Sequence, residues 1–328
     1  MNPNKKRLRR TMMFLNAQKP GLIKDPYIYK PDSIMLSFMW KGRQSLRTKP
    51  DPQCRRAAEE GAGNSGTVES GAKVMSVTQI CNAVSGKIAV HIGTKAWQAL
   101  LEEVYTTPKP GLVDLYSSGA HQDMDVRTFE KSAHALRPYF IRMAYQGYLL
   151  NCSYEELFRQ IRRTGMAAEQ AMFQATGHVN THKGLIFTLG IYCAVAGRCA
   201  AERGQVIEEG LRTIQQRMTV RILEREIADM QEKAAVSHGE MNFQKYGAAG
   251  IRGEAIQGYR PLWEDALPVL REGIRQKKDD NAVKLQTLFA LMRRIEDSNI
   301  LARGGPVTLR KVREESAAFL LLFCCCAM

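Results

Sequence analysis

The sequence predicts an all-α protein, a single multi-helix bundle-like domain with functional loops at the ends of its helices. From about residue 88 onward, apolar residues recur at the three- and four-residue spacing of amphipathic helices. No convincing run of alternating apolar and polar residues, which would indicate half-buried strands, occurs in the chain. We therefore expect about eight helices around one core.

The predicted helices can be justified one by one from apolar spacing and capping residues. Thr128 and Ser153 precede two of them as plausible N-caps, and Pro138 lies inside one as a possible kink. One helix is nearly all apolar and rich in Gly and Ala, which predicts a central helix packed on all sides. The predicted segments are 96–104, 128–150, 154–176, 184–202 (the apolar one), 206–235, 262–276, 282–297 and 307–323.

The chain divides by composition into residues 1–84 and residues 85–328. Residues 1–72 carry a net charge of +8 out of the +14 of the whole chain, and they are rich in Pro, Gly and Ser. We therefore predict a poorly ordered basic arm followed by one helical domain. Lys and Arg of the domain are spread among acids, which argues against nucleic acid as a partner. A mildly basic domain suits an anionic ligand such as a nucleotide.

Cysteine usage and hydropathy suggest the compartment. The eight cysteines contain no CxxC pair, so zinc and redox motifs have little support, and scattered cysteines fit a reducing cytosol. No secretory signal follows the basic first residues, and no uninterrupted apolar run is long enough for a membrane helix. We therefore expect a cytoplasmic protein without a membrane partner.

Four polar, glycine-containing segments interrupt the predicted helices. Loops held by a rigid scaffold are where binding and catalytic residues usually lie. Because four such segments join helices of one apolar scaffold, we expect them to form a shared pocket for an anionic ligand. The segments are TTPKPGLVDLYSSGAHQDMD (106–125), NTHKG (180–184), YGAAGIRGEAIQGY (246–259) and DSNILARGG (297–305).

The first segment carries Lys109, Asp114, His121, Asp123 and Asp125. The last three alternate, so in an extended chain their side chains point the same way. Carboxylates on one side suit a hard cation such as Mg²⁺, which would bridge phosphates. The alternative is that Asp125 only caps the following helix.

The second segment begins the apolar helix. Asn180 or Thr181 can cap that helix, whose free N–H groups and dipole favour an anion. Lys183 and His182 lie in the first turn. A cation is unfavourable there because it meets the positive end of the helix dipole, so the lysine indicates a bound phosphate. The alternative is a capped helix with a solvated lysine.

The third and fourth segments supply Arg252, Glu254, Asn299, Arg303 and Gly304. Arginine offers a planar fork for phosphate, and the glutamate can be a base or a metal ligand. The alternatives are an Arg–Glu surface pair and a helix C-cap with Gly304 as its left-handed residue.

Taken in order, TTPKPGLVD, GAHQDMD, NTHKGLIFTLG, YGAAGIRGEA and DSNILARGG resemble the triphosphoribosyl-dephospho-CoA synthase family over roughly residues 90–320. The resemblance implies an all-helical enzyme that joins ATP to 3′-dephospho-CoA and releases adenine. It also implies a downstream use: the product is the precursor of the prosthetic group on the acyl-carrier protein of citrate lyase or malonate decarboxylase. A metal-dependent helical hydrolase of nucleotides or ADP-ribosyl groups is the alternative.

The resemblance also implies roles for the candidate residues. Asp114 or Asp123 is expected to act as general base, and His121 or His182 to protonate adenine. The ATP-binding candidates are Lys109, Asn180, Lys183, Arg252, Asn299, Arg303 and Gly304, and the Mg²⁺ candidates are Asp123, Asp125 and Glu254.

Overall fold

A computed structural model describes residues 84–109, 111–232 and 238–325. This part of the chain contains ten α-helices and no strand, which confirms the predicted all-α class. The predicted arm, apart from Val84, lies outside the described residues. The helices are α1 (Val84–Tyr105), α2 (Val126–Leu149), α3 (Tyr154–Thr176), α4 (Lys183–Arg203), α5 (Glu208–Glu232), α6 (His238–Tyr246), α7 (Gly250–Ile256), α8 (Leu267–Arg275), α9 (Asp280–Met292) and α10 (Ser298–Cys325), with a π-helical turn at Leu262–Ala266.

Helix α4 is the centre of the core, as its composition predicts. Residues 188–200 are buried without interruption. Helices α2, α3 and α5 pack around α4, and α1 packs mainly against α2. A helix enclosed in this way has no polar face, which explains why its sequence shows almost no amphipathic period.

Glycines let α2 and α4 approach until their backbones touch. A Cβ at Gly147 would lie 2.0 Å from the carbonyl oxygen of Ala194, and one at Gly197 would lie 2.1 Å from that of Ala144. No side chain fits at either position, because real Cβ atoms do not approach a backbone oxygen so closely. The contact therefore fixes α4 against α2, and with it the chain that enters α4.

Within the described residues, α4 is the one helix long and apolar enough to cross a membrane by length and composition. This differs from the expectation that no segment reaches that length. Most of its apolar stretch is buried inside the protein. A core helix meets the same criteria as a membrane-spanning one, and the packing of α4 is that of a core helix.

Two segments expected to be loops are largely helical, which corrects the prediction. Residues 250–256 form α7, whose Ala255 is buried, and residues 298–305 belong to α10. Leu301 packs against Ala248, and this apolar contact overrides the weak helix propensity of the glycines. The left-handed residue is Gly305 (φ 68°), not Gly304, and it marks a kink inside α10 rather than its end.

Candidate active site

The segment between α1 and α2 is held together by one buried carboxylate. Asp114 is 3% exposed and accepts four hydrogen bonds. One oxygen accepts from the Thr107 hydroxyl (2.9 Å) and the Lys109 N–H (2.8 Å), the other from the Tyr116 and Ser117 N–H groups (2.9 Å each). Buried carboxylates are stable only when their oxygens are satisfied in this way. The segment is therefore an ordered loop built around Asp114.

Helix α9 fixes the start of this loop from a distant part of the sequence. Asn281 accepts a hydrogen bond from the Thr107 N–H (3.1 Å) and donates one to the Thr107 carbonyl (2.5 Å). One turn later, Lys284 pairs with Glu102 of α1 (3.2 Å) and with Asp280 (2.5 Å). Burial raises the pKa of Glu102 to about 7, although the Lys284 ammonium opposes the shift. The end of α1 and the loop are thus tied to α9.

Lys109 points into the protein rather than into solvent. It is buried, and its ammonium donates to the Glu103 carbonyl (2.7 Å) and to the Glu103 carboxylate. Its positive charge is close enough to His182 to help lower the pKa of that imidazole. The loop and the start of α4 therefore meet at these two side chains, as a shared pocket requires.

His182 is the N-cap residue of α4 and is 1% exposed. Its Nδ1 lies 2.7 Å from the Ser132 hydroxyl of α2, and that hydroxyl accepts a hydrogen bond from Thr181 (2.8 Å). The hydrogen bond to Ser132 occupies Nδ1 of His182, whichever of the two groups donates, and leaves Nε2 as the other ring nitrogen.

The environment of His182 keeps the imidazole neutral at physiological pH. Burial, followed by the charge of Lys109, lowers its pKa to about 4. Nε2 is buried and has no hydrogen-bond partner among the described residues. The Phe129 ring lies edge-on, with centroids 4.9 Å apart, and holds the imidazole plane. His182 therefore presents one unpaired ring nitrogen of a neutral imidazole, which suits a hydrogen bond to a ligand.

The rest of the NTHKG segment supports only part of its predicted arrangement. The N-cap of α4 is His182, so the prediction that Asn180 or Thr181 occupies this position is wrong. Asn180 lies two residues earlier, and its side chain accepts from the Lys183 N–H (3.3 Å). Thr181 does not cap the helix, since its hydroxyl donates to Ser132. The Lys183 ammonium is exposed and pairs with Glu169 of α3 (2.6 Å). An acidic partner thus offsets the unfavourable lysine, and no phosphate is needed to explain it.

The exposed end of the loop carries the remaining acids. His121 Nδ1 lies 3.8 Å from Asp123 Oδ1, and the Asp123 side chain is 63% exposed. Asp125 forms a capping box with Thr128, whose N–H (2.9 Å) and hydroxyl (2.8 Å) both donate to the same carboxylate oxygen. These hydrogen bonds lower the pKa of Asp125. The helix-cap interpretation of Asp125 is confirmed, while Asp123 has no such structural task.

The candidates from the second half of the chain lie in helices. Arg252 pairs with Glu226 of α5 (3.7 Å) and not with Glu254, because residues two apart on a helix face different directions. Burial raises the pKa of Glu254, and Glu296 adds to the shift. Gly304 lies inside α10, next to Thr308. Asn299 and Arg303 belong to α10 as well, but their side chains lie outside the described residues.

The predicted metal ligands do not form a preassembled cage. Within the described part of the chain, no three His, Cys, Asp or Glu side chains converge in a way that could hold a metal ion. A Mg²⁺ ion that arrives with a nucleotide takes most of its ligands from phosphate and water and needs only one or two carboxylates. Asp123 fits that requirement by its exposure, so Mg²⁺ stays a prediction.

An open groove of about 560 Å³ lies between α2 and the end of α3, and no motif of the sequence points to it. It is lined by Arg127, Glu130, Lys131 and His134 of α2 and by Ala175 near the end of α3. The spacing of the α2 residues places them on one face of the helix. That spacing is the only sequence signal that could have identified the groove.

Comparison with known proteins gives a consistent answer. Residues 89–323 match the family model described as ATP:dephospho-CoA triphosphoribosyl transferase. A probable 2-(5″-triphosphoribosyl)-3′-dephosphocoenzyme-A synthase of Streptococcus mutans serotype c is 39% identical over 236 residues, which cover 69% of this chain and 80% of the relative. The synthase of Escherichia fergusonii is 37% identical over 248 residues, 75% of this chain and 82% of the relative.

A third relative, the synthase of Pectobacterium atrosepticum, is 37% identical over 232 residues, 70% of this chain and 76% of the relative. No solved structure gives a significant match. The match to the family model covers the four polar segments and all the described helices except the ends of the first and last. The chain therefore belongs to the ATP:dephospho-CoA triphosphoribosyl transferase family.

Proposed function

We propose that this chain transfers the triphosphoribosyl group of ATP to 3′-dephospho-CoA and releases adenine. Family membership supports this reaction. The structural observation that carries it is the approach of the ordered loop to the start of α4, where the charge of the buried Lys109 acts on the imidazole of His182, whose Nε2 has no partner among the described residues. A buried cation and a neutral imidazole suit the anionic, oxygen-rich end of a nucleotide.

In the proposed reaction, the 2′-hydroxyl oxygen of dephospho-CoA bonds to the ribose C1′ of ATP as the bond from C1′ to adenine N9 breaks. The hydroxyl proton passes to a base, and adenine leaves with a proton. The triphosphate is retained. Since the transition state resembles an oxocarbenium ion, as in glycoside hydrolysis, the site has to hold the ribose and keep water away.

The two candidate bases differ in their surroundings, which supports different roles for them. All the hydrogen bonds that Asp114 accepts come from its own loop, so we assign it the positioning of that loop. Asp123 is exposed, with His121 beside it, so we assign Asp123 as the general base and His121 as the proton donor to adenine. The neutral His182 is assigned to hydrogen bonding of the bound ATP.

Binding of the triphosphate is assigned to Lys109, Lys183 and Asn180, which belong to the two segments that meet. Mg²⁺ bound with ATP would neutralise part of the triphosphate charge and would take most of its ligands from phosphate and water. A role of Asp123 as a Mg²⁺ ligand is the alternative to its role as the base. Arg252, Arg303, Asn299, Gly304 and Glu254 remain predictions from the motifs.

We also propose that the enzyme is cytoplasmic and that its product is passed on to the acyl-carrier protein of citrate lyase or malonate decarboxylase. The proposed activity requires neither a nucleic-acid nor a membrane partner.

Adenine release tests the reaction. The full chain is incubated with ATP and Mg²⁺, with and without 3′-dephospho-CoA, and free adenine is measured by chromatography. We expect release that requires dephospho-CoA. Release without it would indicate a hydrolase of the nucleosidase type, and no release from a folded protein that binds ATP would contradict the proposal.

The variant Asp123→Asn tests the assigned base. We expect kcat to fall by about 10²- to 10⁴-fold, the usual contribution of a general base, with no change in thermal stability because the side chain is exposed. Glu224→Gln removes an exposed carboxylate from α5 and is the matched control. Recovery of Asp123→Asn activity at high Mg²⁺ would instead identify Asp123 as a metal ligand.

A further inference from the structure

The groove between α2 and the end of α3 is open to solvent and carries positive charge. Its volume is about 560 Å³. Arg127, Lys131 and His134 line it at successive turns of α2 and are exposed. None of the roles assigned above uses these residues.

The two cations of the groove are not neutralised by close acids. Among the described residues, neither Arg127 nor Lys131 has a carboxylate within ion-pair distance, whereas many other surface cations do, such as Lys183 with Glu169 and Arg275 with Glu272. Asp125 attracts Arg127 only at longer range. Two cations on one helix face repel each other when neither has an acidic partner, and a bound anion relieves this repulsion.

The one acid that lines the groove is engaged elsewhere. Glu130 accepts a hydrogen bond from the Tyr105 hydroxyl of α1 (2.6 Å). Beyond His134, other planar groups lie close by, since the Trp97 ring lies 5.4 Å from the His134 ring at an angle of 49° and the Arg137 guanidinium lies 5.0 Å above Trp97. Planar cationic and aromatic groups next to phosphate-binding cations suit a nucleotide.

The groove lies on the opposite side of α2 from the buried site. Phe129 and Ser132 contact His182, while Glu130 and Lys131 line the groove. The residues of the groove and the residues that contact His182 therefore lie on the same two turns of α2. A nucleotide lying in the groove would reach the site around the start of the helix.

We propose that this groove binds the 5′-diphosphate of 3′-dephospho-CoA through Arg127, Lys131 and His134. The inference rests on the proposed function and assigns a binding site to dephospho-CoA, one of its two substrates. The ribose of ATP passes through an oxocarbenium-like state and has to be enclosed. Dephospho-CoA carries a long pantetheine arm that has to extend into solvent, which an open groove allows.

The double variant Arg127→Ala/Lys131→Ala tests the assignment in the full-length protein. We expect the KM for dephospho-CoA to rise at least tenfold, with kcat and the KM for ATP unchanged, since hydrogen bonds to charged groups typically contribute that much. Inhibition by 4′-phosphopantetheine, a fragment that keeps the arm and one phosphate, should weaken in parallel. The slope of log KM for dephospho-CoA against log salt concentration should become shallower.

The matched control is Arg163→Ala/Arg225→Ala, which removes two exposed cations from α3 and α5. It should leave both KM values at the wild-type level, and thermal melting of both double variants checks their folding. Arg127→Gln/Lys131→Gln keeps the length of the side chains and should reproduce the effect. A rise in the KM for ATP instead, or no change in either KM, would overturn the assignment.

The proposed function and the assignment of the groove can be refuted separately. If wild-type adenine release does not require dephospho-CoA, the proposed function fails. If wild type requires dephospho-CoA and the groove variant behaves like its control, only the assignment of the groove fails.

Discussion

The loop between α1 and α2 has two halves that use the same residue types differently. In residues 107–117, Lys109 and Asp114 are buried, and every hydrogen bond they make goes to the protein itself. In residues 121–125, the Asp123 side chain is 63% exposed, and His121 Nδ1 lies 3.8 Å from its Oδ1. A buried polar group costs stability unless it is satisfied, whereas an exposed one keeps its lone pairs for a ligand.

This difference indicates that the two halves of the loop have different roles. The buried half, tied to α9 through Asn281, is a rigid support, and the exposed half carries the groups assigned to proton transfer. Catalytic groups act efficiently when a rigid shell holds them in place. A change in the buried half should therefore affect both stability and activity, and a change in the exposed half activity alone.

Asp114→Asn is expected to have the largest effect. The amide replaces one acceptor oxygen with an NH₂ group that faces donors, so at least two hydrogen bonds to a buried charge are lost. We expect a loss of about 3 kcal/mol in the free energy of unfolding and at least a 100-fold loss of activity. Urea unfolding and adenine release measure the two effects. Asp123→Asn removes the same charge from the exposed half, so equal melting of the two variants would refute the different roles of the two halves.

His182→Asn tests the buried side of the comparison, because burial of His182 makes the stability of the protein depend on pH. The folded pKa is about 4 and the unfolded value is 6.5, so the unfolded chain takes up the proton first as pH falls. Stability from the neutral imidazole is complete above pH 6.5 and is lost as pH falls towards 4. By linkage the loss is about 3 kcal/mol. An asparagine can still accept from Ser132 but does not titrate.

The measurement is the free energy of unfolding at several pH values between 7.5 and 4.5, in wild type and in His182→Asn. The variant should lose less stability over this range than wild type. His178→Asn changes an exposed histidine and should keep the wild-type profile. Parallel profiles for wild type and His182→Asn would show that His182 titrates normally and is not enclosed as described.

The sequence predicts most of the fold because helical periodicity is a local signal. The apolar composition of α4 predicts its central position, and Ser153 caps α3 as its place before the helix predicts. The two glycine-containing segments misled the prediction because their helices are stabilised by distant contacts. Ala255 accepts a hydrogen bond from Gln215, and Leu301 packs against Ala248, and neither contact leaves a trace in the local pattern.

The site could be predicted only as a set of segments. The loop and the NTHKG motif identify the two parts that meet at Lys109 and His182. Their supporting partners, Ser132 and Asn281, belong to ordinary helices, and Asn281 lies 174 residues away from Thr107, which it binds. Which carboxylate is buried and which is exposed depends on the tertiary structure, so the motifs could not separate Asp114 from Asp123.

Substitutions of Asp125 have the smallest expected effect. They distinguish a role as a helix cap from a role as a Mg²⁺ ligand. As a helix cap it accepts two hydrogen bonds from Thr128, so Asp125→Ala should lower the free energy of unfolding by about 1 kcal/mol. Asp125→Asn keeps an acceptor at a position where asparagine caps equally well, so it should retain wild-type stability and activity. A Mg²⁺ ligand would behave differently, because both substitutions remove the charge that binds the ion. Thermal melting and adenine release at several Mg²⁺ concentrations distinguish the two. If Asp125→Asn melts like wild type but needs more Mg²⁺, the exposed half of the loop includes Asp125 as a ligand, and its capping box is a secondary role.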